Sequence, residues 1–293
     1  MMSQILFLYR RVRLLSAILV SVAVFSFTAA PAQAQIATPA ASTILSVKSI
    51  SSAEEMQTLK DQYKTDLSVY RTDERSYELA KAQFNQLGTL VSLEEAVKAT
   101  RTVLLSRSTV LLTYVKIIKL FAQDTPGISA EEKNSISTHL TMVELRIQKH
   151  QEVVRQAIDR KLIQVAVDDY RSFENNVPQA VYQALSYEAY GRIHVVYDTT
   201  TALRDEIKQH IQDQEKNGLK LGEKQRAFVE IDKNLDQTGQ RLESIHKTFT
   251  SVDQNQQAHV YTSGTYNQAI TDLGQVYADL FSTLGFLREV LKS

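Results

Sequence analysis

Apolar residues recur at alternating spacings of three and four along most of the chain beyond residue 51. The most regular run is Phe228, Ile231, Leu235, Thr238, Leu242, Ile245, Phe249 and Val252. A second is Tyr266, Ile270, Leu273, Tyr277, Leu280, Leu284, Leu287 and Leu291. Such a stripe marks one face of an α-helix, and a sustained stripe is the heptad seam of helices packed at a shallow angle. No stretch alternates with a period of two over a useful length, so almost no β-structure is expected.

Capping and breaking residues divide these stripes. Ser52 with Glu55, Ser92 with Glu95 and Ser129 with Glu132 each have the spacing of a capping box. The first helix carries Met56, Leu59, Tyr63, Leu67, Tyr70, Tyr77, Ala80, Phe84 and Leu87, and Gly88 ends it. The second carries Leu93, Val97, Leu104, Leu111, Tyr114, Ile118 and Phe121, and closes at Asp124-Thr125-Pro126-Gly127. The third is expected to run through Ile136, Leu140, Val143, Ile147, Val154, Ile158 and Val165 to a break at Asn175-Asn176-Val177-Pro178. The fourth carries Val181, Leu185, Ala189, Val196, Leu203, Ile207 and Ile211 and ends at Asn217-Gly218, a left-handed cap signal. The polar stretch from Gln254 to Gly264 separates the last two helices. Short connections force antiparallel neighbours. The expected fold is all-α, an elongated up-and-down bundle of about six long, heptad-patterned antiparallel helices forming a single domain over residues 51–293.

The segment before the first helix has a different character. Arg10, Arg11 and Arg13 precede an apolar run from Leu14 to Ala30, and Ala32-Gln33-Ala34 follows. This is the layout of a secretory signal peptide, expected to be cleaved near Ala34. Residues 1–34 are read as that signal and residues 35–50, rich in Ala, Ser and Thr, as a flexible linker. The expected location is extracytoplasmic: periplasm, cell surface or medium. The alternative is retention by an uncleaved N-terminal anchor. No second run is apolar enough for a membrane span, because Val103–Ala122 contains Arg107, Lys116 and Lys119.

Charge and composition narrow the classes of function. The chain holds 33 basic and 33 acidic residues, and losing residues 1–34 removes three arginines and no acid, leaving −3. So flat a balance argues against nucleic acid, which needs a basic face. Cysteine is absent, which rules out disulfides and thiol chemistry. No nucleophile elbow, phosphate loop, dinucleotide-binding glycine pattern or haem-attachment motif occurs.

Two features carry candidate chemistry. Tyr63, Tyr70 and Tyr77 recur every seven residues, with Asp66 and Asp73 at the alternate seam positions. They form either a ligand groove for a cationic or sugar-like molecule, or an edge helix with packed rings and solvated hydroxyls. Glu243 and His246 form the single E-x-x-H, the half-motif of a di-metal bundle, but its companion motif is missing. A solvated Glu/His pair is the simpler reading. His150 falls on a core stripe and is expected to be satisfied by a neighbour, and His194 with Asp198 forms a local pair. Tyr182, Tyr187, Tyr190 and Tyr197 point several ways from the fourth helix, which suggests contacts on more than one side. Gly239, Gly274 and Gly285 lie inside helices, and the last two share a face, as if marking close helix–helix approach.

The sequence therefore reads as an exported, non-enzymatic bundle without a cofactor, acting as a binding or scaffolding module at the cell envelope. Its partner would be another protein or a second copy, met through helical faces. The alternative is an extracytoplasmic ligand- or metal-binding bundle of sensor or di-metal type.

Overall fold

A computed structural model describes residues 52–216, 222–254 and 261–292. The expected signal peptide and linker, the Asn217-Gly218 stop and most of the Gln254–Gly264 turn lie outside the described residues, as do the side chains of Phe249 and Val252. The described residues form helices α1 (Ser52–Leu87), α2 (Leu90–Asp124), α3 (Ala130–Gln156), α4 (Arg160–Arg171), α5 (Asn176–Lys216), α6 (Gly222–Gln254) and α7 (Ser263–Lys292). No strand occurs among them, and the fold is an all-α bundle. None of these helices is long and apolar enough to cross a membrane.

The helices pack as two sets. In the first, α2 lies between α1 and α3, with α4 folded back over α3 and α2. In the second, α5, α6 and α7 pack on one another, and α5 also meets α2 and α3. The segment Val181–Gly191 of α5 is accordingly buried on nearly every side. The C-terminal half of α2, from Leu111 to Ala122, is likewise core, with Val115 fully enclosed. Helix α1 packs on α2 alone among the described helices.

The seam of α6 is as expected: Phe228, Ile231, Leu235, Thr238, Leu242 and Ile245 are all buried. In α7 the seam differs. The buried line is Ala269, Leu273, Val276, Leu280, Thr283, Leu287 and Val290, while Tyr277 and Leu291 face outward. Two apolar lines run side by side on this helix. The inward one has the smaller side chains, which let α7 approach α5 and α6 closely.

Two boundaries also differ from expectation. Helix α2 is capped by Thr89 rather than Ser92: the Ser92 N–H donates to Thr89 Oγ1 at 3.2 Å, and the Thr89 N–H donates to Ser92 Oγ at 3.1 Å. Gly88, at φ +60°, reverses the chain so sharply that the next helix starts a turn early. The third helix stops at Gln156 instead of continuing through Val165. Asp159 accepts the Leu162 N–H at 2.8 Å and starts α4. Ala157 and Ala166 are small enough for α4 to fold back onto Val154, Leu104 and Leu105. Ile158, expected in the core, is left 75% exposed, and Val165 is exposed as well.

The close approach assigned to Gly274 and Gly285 is found elsewhere. A Cβ at either of those positions would meet no atom within 4 Å. At Gly191 it would lie 2.3 Å from the Pro126 carbonyl oxygen, and at Gly127 (φ +74°) 2.1 Å from the Gly191 carbonyl oxygen. The α2–α3 turn thus rests backbone to backbone on α5. Gly191→Ala should destabilise the fold by about 2 kcal/mol, because a backbone carbonyl cannot move aside as a side chain does. Gly274→Ala should be neutral or stabilise by up to about 1 kcal/mol through helix propensity. Thermal melts of dilute protein check both, and equal effects would overturn the assignment.

Candidate functional site

The densest polar constellation lies where α4 closes over α2 and α3. His150 of α3 is fully enclosed, with 0% of its side chain exposed. Its Nδ1 lies 2.9 Å from Asp169 Oδ2 of α4. The neutral ring donates this hydrogen to the carboxylate, which fixes the tautomer. Asp169 also takes a forked contact from Arg146, with Nη2 at 2.6 Å from Oδ1 and Nη1 at 3.3 Å from Oδ2. Arg146 lies over the Phe173 ring, 4.4 Å from its centroid. Arg107 of α2 lies 4.3 Å over Tyr170 and also donates to the Tyr170 hydroxyl at 2.9 Å. Tyr170 and Phe173 meet edge to face, with centroids 5.2 Å apart, and both rings contact His150.

The electrostatics follow from this enclosure. Burial pushes the His150 imidazole below its ordinary pKa; Asp169 opposes the shift, and Arg146 and Arg107 reinforce it. For Asp169, burial acts to raise the carboxyl, but the hydrogen bonds from Arg146 and His150 outweigh it and hold the pKa below the usual range. Burial raises the Tyr170 phenol against the pull of Arg107. A histidine held by a carboxylate is the base-and-orienter pair of many hydrolytic sites. Here, however, His150 Nε2 is buried with no hydrogen-bond partner, and Tyr170 and Phe173 stand against the ring. A general base must reach the proton it removes. This imidazole is sealed, and the arrangement acts as a clasp that fastens α4.

The Tyr/Asp stripe lies on the face of α1 turned to α2. Asp66 is buried and accepts from Thr113 Oγ1 at 2.6 Å and from Gln62 Nε2 at 2.7 Å. The Tyr63 ring sits 6.0 Å from that of Tyr114. The Tyr70 hydroxyl donates to Glu74 at 2.9 Å, and Lys81 lies 5.3 Å over Tyr77. Burial raises the Tyr70 and Tyr77 phenols, the latter to about 12. Asp73 is half-buried on the same face. Tyr63 and Asp66 thus meet α2 directly, while the contacts of Tyr70 and Tyr77 with Glu74 and Lys81 lie within α1. The shallow depression on α1 is lined by other residues: Lys64, Leu67, Ser68, Arg71, Thr72 and Arg75.

Glu243 and His246 part company. Glu243 is exposed, and an ion pair with Lys247 at 2.6 Å lowers its pKa. His246 turns inward to Glu132 of α3 and stacks on Tyr190, with centroids 4.8 Å apart. Glu132 closes the expected Ser129 capping box through its other oxygen, which accepts from the Ser129 N–H at 2.7 Å. For Glu132 burial acts upward, but the Ser129 contacts and His246 together hold its carboxyl below the usual range. His246 is thus not a solvated side chain but a bridge from α6 to the start of α3. Among the described residues no three His, Cys, Asp or Glu side chains gather as a metal would need.

The clasp was only half visible in the sequence. His150 stood out as a core histidine, but Arg107 registered only as a charge unfit for a membrane. Arg146, one turn before His150 on the same face, was the available signal. Comparison with protein-family models, curated proteins and solved structures finds no match for this chain.

The clasp makes stability depend on pH. His150 is depressed in the folded state, so its contribution is complete above about 6.5 and is lost as pH falls, because the unfolded chain then takes a proton that the folded chain refuses. Asp169 is also depressed, and its contribution fades only below about 3.8. The melting temperature should therefore fall between pH 7 and pH 5, and His150→Gln should flatten that slope while lowering the plateau. An unchanged slope in the variant would show that His150 does not carry the effect.

Proposed function

We propose that this chain is an exported, non-enzymatic helical bundle that binds or scaffolds another protein at the cell envelope. The observation that carries the reading is the arm formed by α1 and α2. Gln151 of α3 donates to Thr109 at 3.3 Å, and Ala157 packs near Leu104 and Leu105. Helix α3 therefore leaves α2 at about that level. Beyond it, residues 76–87 of α1 and 90–101 of α2 are largely open among the described residues. In that stretch only Ala80 and Ser92 are buried. Leu79, Leu87, Leu90 and Val91 are all exposed, the last two at 71% each.

Two helices cannot enclose their own seam, because each needs an apolar stripe wider than one neighbour covers. An open two-helix seam is the shape that accepts an amphipathic helix of a partner. The sealed histidine and the dispersal of Glu243 from His246 support a binding role over a catalytic one. Export is supported by Arg10, Arg11 and Arg13, the apolar run to Ala30 and the Ala32-Gln33-Ala34 exit.

A photo-activatable residue placed at Leu87, in cells of the source organism, should yield a defined protein adduct. Leu90→Asp with Val91→Asp should abolish that adduct and move the melting temperature by about 2 °C at most, since both side chains are already exposed. The recovered chain should begin at Gln35. Adducts no more frequent than at an exposed control such as Lys64 would sink the binding reading. So would a stoichiometric metal or small molecule on the purified chain. A cytoplasmic chain beginning at Met1 would sink the export.

A further inference from the structure

Helix α7 carries a second, largely apolar line that the other described residues leave half-buried to exposed. Ile270, Gly274, Tyr277, Phe281, Leu284, Arg288 and Leu291 follow one another at spacings of four and three without interruption. The inward seam lies about a quarter-turn away, because Ala269, Leu273, Val276 and Leu280 each precede a member of the outer line by one residue. Phe281 is 70% exposed and Tyr277 50%. The two helical glycines on this side, Gly274 and Gly285, have open space where a Cβ would sit. Each costs about 1 kcal/mol of helix stability against alanine. No contact among the described residues offsets that cost.

We infer that the occupant of this face is the same face of a second copy of this chain, antiparallel, with the twofold axis at Phe281. It would give the scaffolding reading one definite partner, through a surface separate from the α1–α2 arm. In a twofold contact, residues equally distant from the axis face each other. Four residues out, Tyr277 faces Gly285; three residues out, Ala278 faces Leu284; seven residues out, Gly274 faces Arg288. At each step a large side chain meets a small one, and the glycines are where a ring and a guanidinium need room.

Charge does not oppose the pairing. Helix α7 carries no Lys or Arg before Arg288, so Arg288 meets no like charge beside Thr271 and Gln275. The acids before the axis, Asp272 and Asp279, lie on the opposite side, where Gln268 donates to Asp272 at 2.8 Å and Arg241 of α6 holds Asp279 at 2.6 Å. The outer line spans about 32 Å of helix. With two aromatic rings about half to two-thirds open, it offers about 500 Å² per copy, or about 1,000 Å² in all, near the lower bound of a specific interface. A contact at that lower bound is expected to be weak and reversible.

Sedimentation velocity of the chain from Gln35 to Ser293, across about 1 to 200 µM, should show a reversible monomer–dimer equilibrium. Phe281→Glu sets two carboxylates against each other on the axis and should weaken the dimer at least about thirtyfold, with the melting temperature of dilute protein unchanged. Because the chain has no cysteine, Phe281→Cys should cross-link to a covalent dimer under mild oxidation. Val229→Cys, equally exposed on α6, should not. A monomer at every concentration would overturn the inference. A dimer indifferent to Phe281→Glu but lost in Leu90→Asp with Val91→Asp would overturn it too, by placing the contact on the arm. If the arm adduct persists in cells while Phe281→Cys fails to cross-link, this inference falls and the scaffolding reading stands.

Discussion

The backbone contact between Gly127 and Gly191 sets how the two helical sets meet. A side chain at either position would put a carbon within 2.1–2.3 Å of a carbonyl oxygen on the other side. Removing both side chains lets the α2–α3 turn rest on α5, and the neighbouring polar contacts depend on that approach. Ser129 caps α3 immediately after the turn and positions Glu132. The free oxygen of Glu132 takes His246 from α6, and His246 stacks on Tyr190, adjacent to Gly191. One close turn thus ties α2 and α3 to α5 and α6. Each of these hydrogen bonds contributes only about 1 kcal/mol net. Their joint geometry exists because the glycines permit the approach.

The clasp around His150 solves a different problem. Helix α4 is 12 residues long, a length at which an isolated helix is marginal in water. Its apolar grip rests on Ile163, Ala166 and Tyr170, with Ala166 contributing closeness rather than bulk. Arg146, Asp169 and His150 add a polar hold beside the buried Tyr170 ring. A partly buried ion pair is a poor source of net stability, since desolvation offsets most of the attraction. It is an effective source of position, because losing one partner strands the others. The stacking of Arg107 on Tyr170 and of Arg146 on Phe173 adds direction without adding buried charge.

How much of this was legible depended on whether a feature was local. Stripe periodicity located the long helices, because a buried face must recur at the helical period wherever it packs. Helix α6 shows this without exception from Phe228 to Ile245. The break after Gln156 was missed because Ile158 and Val165 continue the period of α3, and only the small size of Ala157 and Ala166 betrays the fold-back. The Ser129 box was legible and the Ser92 box was not, because Gly88 moves the start of α2 by one turn. The partners of His150 and His246 come from other helices, Asp169 from α4 and Glu132 from α3. No spacing rule along the chain could pair them. The Tyr/Asp stripe was legible as a line of residues, but its role was not, because the neighbour that turns Asp66 into a satisfied contact is Thr113 on α2.

Helix α7 marks the limit of period-based reading. Its pattern supports two seams a quarter-turn apart, and periodicity cannot say which one the chain itself uses. Side-chain size decides that question: the line with Ala269, Val276 and Thr283 packs tightly enough to go inside. The line left outside keeps its aromatic rings and, with them, Gly274, with Gly285 beside it. An exposed ring needs no special explanation, since folded proteins expose much apolar surface. A glycine in the middle of a helix does, because it lowers helix stability wherever it stands. At Gly191 that cost is matched by a contact within the chain. At Gly274 and Gly285 the other described residues offer no such contact, and the proposed twofold pairing would supply one.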